Sequence, residues 1–593
     1  MLQKEWCHLK YKKILFALLA LCIAAIGVFL YRSQNPTLLQ WKKYIKYNIL
    51  YQRSSAVSEE TAGLSEIEKT YFYENGLQVT GDKINPARDN KKVYITKNTA
   101  HFVNYTDGYR VDLPKDMHFD FSLSPAFVKC ADEQLDITIS REKSPYEDVE
   151  QYIAYFQNRF ILDESYQKAN GIMVSDDALV TKQGYDAQII RAKIKNAIDA
   201  KFDGYAYVFI KTDTNIFYRM MFRYDAADDG FDQVLDHALQ SFVTFPATGE
   251  AAFHVSFRPK QPTYWSAETA ALYETICKTQ GIRWGVFTED IYGRGIAETV
   301  PQLEEEIGYR FPVILAYLQH KREFPTEFMQ KNYENGKIVE LTYQITGDNN
   351  QNLFGYTPNL DIYRGIKDEE IRAFARDAKA FGHPFLFRLN NEMNSDWTSY
   401  SGIINMSDPD IYVENWRRFY RIFQEEGVCN AIWVFNPNDH SYPPCNWNHF
   451  LAYYPGDDYV QMIGLTGYNT GTYYLEETGE IWREFETIYD DLQASYQPFF
   501  HEFPWMITEF GTSSVGGDKV AWMNNMFACL DKYPNIKIAV WFNFADYDMR
   551  PERNGAVARP YWLDETEDTR AAFARGVGRH GVEGWQTPFL QTN

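Results

Sequence analysis

Two glutamates stand where this sequence can do chemistry. Glu392 follows the short apolar run PFLFRLN (384–390) within FRLNNEMN, and Glu509 lies near the end of WMITEF (505–510). In a parallel sheet, the C-terminal ends of strands and the loops after them gather on one face. Two carboxyl groups meeting there about 5 to 5.5 Å apart can cleave an acetal bond with retention, one protonating the leaving oxygen and the other attacking the anomeric carbon. A lone strand-end glutamate is usually just solvated. Two of them, each inside a dense polar and aromatic motif, point to acid/base and nucleophile.

The elements that must position this pair repeat at regular spacing. Short apolar strands are expected at WGVF (284–287), PVILAYL (312–318), KIVELTYQI (337–345), PFLFRLN (384–390), NAIWVF (430–435), VQMIGL (460–465), WMITEF (505–510) and IKIAVWF (536–542), with helical stretches between them. Strand and helix in alternation mark βα units, and eight strands suit a closed (β/α)8 TIM barrel over 262–585. Glu392 then follows strand four and Glu509 ends strand seven. No G-x-G-x-x-G or Walker loop follows a strand, so nothing indicates a nucleotide site.

Ahead of RPKQPTYWS (258–266) lies a different pattern. Strand-like runs at YRVDL (109–113), LDITIS (135–140), AQIIRAKI (187–194), YAYVFIKT (205–212) and IFYRMMFRY (216–224) mix with helical stretches at 147–160 and 231–243. This is an α+β accessory domain over 99–250 whose order of elements resembles small PsbP-like domains; no motif in it assigns chemistry.

Residues 14–31 carry no charge for 18 positions, about 27 Å as a helix, close to a bilayer's hydrocarbon thickness. Lys4, Lys10, Lys12 and Lys13 precede them and are matched by Arg32, Lys42, Lys43 and Lys46 beyond, so the reading of 1–35 as a cytoplasmic tail and transmembrane signal anchor rests on the N-terminal position of the segment and on the chemistry of the glutamate pair. The basic stretch 37–53 is either an interfacial helix or a stalk, and 36–98 as a whole is a juxtamembrane helix and linker.

A net charge of −21 argues against a nucleic-acid partner. Seven cysteines without paired C-x-x-C spacing argue against a thiol metal centre. Aromatics reach 17%, and Tyr and Trp offer apolar faces with polar handles, suited to stacking on sugar rings. His383, His440 and His449 read as loop or structural residues, while NDHSYPPCNWNHF (438–450) is a candidate substrate loop.

The region from about 280 to 550 resembles glycoside hydrolase family 26. The resemblance rests on FRLNNEMNSDW (387–397), YVENWRRFYRIFQEEGVCNAIWVFNPN (412–438), YYPGDDYVQMIGLTGYN (453–469), ITEFG (507–511) and VWFNF (540–544), in that order. It implies a (β/α)8 barrel with Glu392 as acid/base and Glu509 as nucleophile, and neither metal nor cofactor. It also implies that Arg388 lies inside the barrel near Glu509, that Tyr468 lies near the nucleophile, and that Trp397 and Trp541 line the sugar subsites. Members usually carry His before the acid/base; this chain has Asn391, the residue common in the wider clan, where it bonds the 2-hydroxyl of the sugar being cleaved. That hydroxyl distinguishes mannose from glucose. The expected substrate is therefore β-1,4-mannan first, with mixed-linkage β-glucan or xylan behind it, including a polymer made by the cell itself. The competing class is a catalytically silent, membrane-anchored carbohydrate-binding protein.

Overall fold

The computed structural model describes residues 71–585 apart from 75–76, 81–90, 96–97, 125, 196–201, 248–252, 254, 348–352 and 354. The expected anchor at 14–31 lies outside these residues. Among the described residues, no helix is long and apolar enough to cross a membrane.

The N-terminal half is an antiparallel β domain. Its strands are β1 (Tyr71–Glu74), β2 (Leu77–Thr80), β3 (Lys91–Ile95), β4 (Thr99–Asn104), β5 (Tyr109–Pro114), β6 (His118–Asp120), β7 (Val128–Ala131), β8 (Leu135–Lys143), β9 (Ile172–Lys182), β10 (Tyr185–Ile194), β11 (Gly204–Lys211), β12 (Ile216–Tyr224) and β13 (Val243–Thr244). They form a β1–β2 hairpin, a seven-stranded sheet in the order β6-β7-β8-β12-β11-β10-β9, and a four-stranded sheet in the order β13-β5-β4-β3. The linker part of the reading of 36–98 is corrected here, since β1, β2 and β3 fall within it and β3 pairs along its length with β4; the helix expected at 37–53 lies outside the described residues. Lysines and polar residues hide the short alternation of KKVYI, and pairing to a neighbour, which composition does not record, makes it a strand.

The C-terminal half closes as a parallel barrel. The strands are β14 (Arg283–Thr288), β15 (Val313–Gln319), β16 (Ile338–Gln344), β17 (Phe385–Leu389), β18 (Ala431–Phe435), β19 (Met462–Thr466), β20 (Trp505–Phe510) and β21 (Ile536–Asn543), each beside the next, with β21 returning to β14. A short ribbon, β22 (Ala545–Asp548) and β23 (Ala556–Pro560), follows at the mouth.

Side chains alternate along each barrel strand. One set, including Leu315, Ile338, Leu386, Ile432, Met462 and Met506, packs together inside the barrel; the other joins the large core under the helices. Helix Pro409–Glu426 shows how the outer layer is specified. Asp408 caps its N-terminus, Pro409 occupies its first turn, and Gly427 at φ 80° ends it. Trp416, Phe419 and Phe423 recur at helical spacing on its buried face; burying each such ring contributes roughly 1.5 to 3 kcal/mol.

Going up the barrel the inward set turns polar: Glu340 and Thr342 on β16, Arg388 on β17, Asn436 after β18, Thr466 on β19 and Thr508 on β20 are all buried. Gly464 makes room for them, since a Cβ there would sit 2.6 Å from Cβ of Asn436 and 2.7 Å from Cγ2 of Thr508.

The two halves share one core. Tyr152, Phe156, Tyr207, Phe209 and Phe217 of the antiparallel domain pack with Leu360, Ile403, Met406, Cys445 and Trp447 of the barrel loops. Arg223 joins them electrostatically, 2.7 Å from Asp410 and 3.3 Å from Asp408.

Candidate active site

Both glutamates reach the cleft through local departures from regular strand geometry. Glu392 has φ 56°, and Asn390, two residues earlier, has φ 50°. Non-glycine residues avoid this region unless their surroundings hold them there. Here the backbone N–H of Asn390 donates to Tyr343 O and that of Glu392 donates to Asn436 O, both at 2.9 Å.

Glu509 is turned by a bulge. Leu465 pairs with Ile507, but the next residue, Thr466, pairs with Glu509, so Thr508 and Glu509 together oppose one residue of β19. Ile507 and Phe510 stay in the outer core, while Thr508 and Glu509 both leave it. Without the extra residue, strand parity would aim Glu509 outward.

The carboxyls line a single open cleft of about 1880 Å³ at the barrel mouth. Arg388 Nη2 lies 3.1 Å from Oε2 of Glu509, and Asn391 Nδ2 donates to Oε1 of Glu509 at 3.4 Å. The Asn391 amide is aimed by Gln344 Nε2 and the Tyr400 hydroxyl, which donate to its Oδ1 at 3.0 and 2.8 Å. Arg388 is held in turn by Thr342 Oγ1 at 2.6 Å and Asn436 Oδ1 at 2.9 Å. Trp397 Nε1 donates to Oε2 of Glu392 at 3.2 Å, and its ring sits 5.2 Å from that of Tyr442.

Burial pushes Glu392 up to about 7, opposed by the Trp397 hydrogen bond and the Arg388 charge. Burial pushes Glu509 up to about 8, and the nearby Asp546 charge adds to it. The Arg388 contact with Glu509 acts in the opposite sense, favouring the ionised form.

Tyr468 lines the cleft, its ring packed against Tyr561 and Phe542. Trp397 lines it and is 43% exposed. Trp541 does not reach it, which corrects the expectation that it forms a sugar subsite. It is fully buried under the helices against Phe510, Trp522 and Phe573, with Nε1 donating to Tyr561 O. The next residue, Phe542, faces the cleft instead, as strand alternation requires.

Other site residues lay unread in the sequence. Glu340, Thr342 and Gln344 occur at every second position of an otherwise apolar strand, a signal for the barrel interior that was available. Asp439, His440 and Tyr442 also line the cleft, so the 438–450 loop forms one of its walls. Across from it, Arg559 lies 2.9 Å from Asp546 on the terminal ribbon.

Residues 344–492, which hold Glu392 and Tyr468, match the model for Glycosyl hydrolase family 26. Over this part of the barrel the chain is similar to glycoside hydrolase family 26. Similar curated proteins include Endoglucanase H of Acetivibrio thermocellus, 27% identical over 252 residues, covering 41% of this chain and 26% of that protein. A mannan endo-1,4-beta-mannosidase of Bacillus subtilis strain 168 is 29% identical over 235 residues, covering 35% of this chain and 57% of the relative. The chain thus spans between about a quarter and somewhat over half the length of these two relatives. Among solved structures, a GH26 beta-mannanase from Bacteroides ovatus is 17% identical with a TM-score of 0.40, covering 55% of this chain and 98% of that one.

Proposed function

We propose that this chain is a retaining, endo-acting β-glycoside hydrolase that cleaves a β-1,4-mannan-type polysaccharide. The observation that carries the reading is the pair of glutamates from strands four and seven, Glu392 half-buried and Glu509 buried, opening onto one cleft, each with its own hydrogen-bond partners. Glu392 donates its proton to the glycosidic oxygen while Glu509 attacks the anomeric carbon, forming a glycosyl-enzyme. Glu392, now ionised, then takes a proton from water, and the sugar leaves with its configuration retained. Asn391 and Arg388 bond to Glu509 and favour its ionised form against the burial that raises it, and the Asn391 amide faces the 2-hydroxyl of the reacting sugar.

Similarity to both mannosidases and an endoglucanase, together with Asn391 at the position beside the sugar 2-hydroxyl, supports mixed-linkage β-glucan or xylan as the second reading. Purified full-length protein assayed on mannan, lichenan and xylan, with product sizing, separates these. Mixed oligosaccharides from mannan are expected; release of monosaccharide alone, or cleavage of lichenan only, would replace the proposal. Glu392→Ala and Glu509→Ala are expected to lose at least about 10²-fold in turnover while still binding the polymer. Full activity in either removes the assignment.

The 18 uncharged residues at 14–31, with lysines before them, support a single-pass anchor in the cell membrane and an extracellular barrel. Protease added to intact cells is expected to release the barrel; protection from it would reverse the orientation.

A further inference from the structure

The loop between β17 and helix Pro409–Glu426 carries Glu392 and Trp397. It holds four left-handed non-glycine residues: Asn390, Glu392, Met406 and Ser407. Such backbone persists only where neighbours enforce it. For the far end of the loop the enforcing groups come from the antiparallel domain. The Tyr207 hydroxyl donates to Met406 O, Arg219 Nη2 donates to Ser407 O at 2.8 Å, and the Tyr166 hydroxyl donates to Ile404 O at 3.0 Å.

The same domain grips the loop again beside the cleft. Arg159 Nη2 and the Tyr155 hydroxyl both donate to Oδ2 of Asp396 at 2.9 Å. The Arg159 guanidinium lies 4.2 Å over the Tyr155 ring, so the two donors brace each other. Asp396 directly precedes Trp397, the residue whose indole N–H reaches Glu392. Among the described residues, those lining the cleft all belong to the barrel half, so the described part of the antiparallel domain acts on the reaction through loops of this kind.

We propose that Arg159 and Tyr155 are positioning residues for the acid/base: by holding Asp396 they fix Trp397 so that its indole donates to Glu392 and closes the cleft wall with Tyr442. The inference rests on the hydrolase reading and extends it to a domain that sequence motifs leave without a role. Arg159 and Asp396 are each about one-quarter exposed or less, so the ion pair is partly screened. Its use is geometric, restricting the Trp397 backbone and ring.

A departing alcohol of high pKa needs the proton from Glu392; a departing dinitrophenolate does not. Full-length Arg159→Met, Arg159→Lys and Tyr155→Phe would be compared with the wild type on whichever polymer it cleaves and on the 2,4-dinitrophenyl β-glycoside of the same sugar. Arg159→Met is expected to lose about tenfold or more in kcat/KM on the polymer and to change less than about twofold on the aryl glycoside. Its alkaline limb is expected to move upward, because loss of the Trp397 hydrogen bond disfavours ionised Glu392. Arg159→Lys is expected to recover most of the loss, and Tyr155→Phe to fall between. Equal losses on both substrates, no loss on the polymer, or an unmoved alkaline limb would overturn the proposal while leaving the hydrolase reading intact. A wild type that cleaves none of the polymers removes that reading and this one together.

Discussion

Arg388 and Glu509 stand 121 positions apart in the chain, yet Nη2 of the first lies 3.1 Å from Oε2 of the second in the buried centre of the barrel. The same guanidinium places Nε 3.1 Å from Oε1 of Glu340, with both of these side chains fully buried. One cation thus serves two carboxyl groups, only one of which opens onto the cleft. The nitrogens of the planar fork point in fixed and different directions: Nε donates to Thr342 and Nη2 to Glu509, while Glu340 lies within ion-pair distance without accepting a hydrogen bond.

Arg388→Lys tests the fork. Lysine keeps the charge but cannot reach Thr342, Asn436 and Glu509 together, so the ionised nucleophile loses support. Activity on the polymer at neutral pH is expected to fall at least about tenfold, equivalent to about 1.4 kcal/mol of transition-state stabilisation. The acid limb of kcat/KM is expected to shift upward. An unmoved acid limb would mean that Arg388 serves packing alone.

The pH profile follows from the glutamate pair. Burial raises Glu392 to about 7 and Glu509 to about 8, and the reactive form, with the proton on Glu392 and Glu509 ionised, is populated in the pH range between full protonation and full ionisation of the two groups. Below this range both are protonated and no nucleophile exists; above it both are ionised and no acid exists. A bell-shaped kcat/KM with its maximum near neutral is expected. A maximum at pH 4 to 5, where exposed carboxyls titrate, would contradict the role given to burial.

Glu340 offers a stability test away from the cleft. Burial raises its carboxyl to about 8, with Arg388 opposing. The folded state therefore binds a proton that the unfolded chain releases near the usual value of about 4.3. Stability from this group is complete below the unfolded value and is lost as pH rises through the folded one. Glu340→Gln, which cannot ionise, is expected to raise Tm by a few degrees at pH 8 and to leave it nearly unchanged at pH 4. A lower Tm at pH 8 would show that the charged Glu340 and Arg388 pair is the stabilising form.

Truncation to residues 250–593 tests the shared core. Removing the antiparallel domain would expose Ile403, Ile404, Met406 and Trp447, all now buried, and would take from the carbonyls of Met406 and Ser407 their donors Tyr207 and Arg219. Each large apolar side chain returned to water costs roughly 1.5 to 3 kcal/mol. The fragment is expected to be aggregated or inactive. A soluble fragment with wild-type turnover would show that the barrel positions Glu392 unaided.

The sequence by itself determined the number and order of the barrel strands. Each is a short apolar run between helical stretches, and that periodicity records burial on both faces of a closed sheet. It also placed Glu392 just past strand four and Glu509 at the end of strand seven, because position along a strand is local information. Direction is not local. Strand parity would turn Glu509 outward, and only pairing of Thr508 and Glu509 against one residue of β19 turns it in. Trp541 and Phe542 are neighbours of equal aromatic character, and the registration of β21 decides which of them meets the sugar cleft. The hold of Arg159 on Asp396, 237 positions away, has no sequence signature, because it comes from a helical turn of one half and a barrel loop of the other packing into one core.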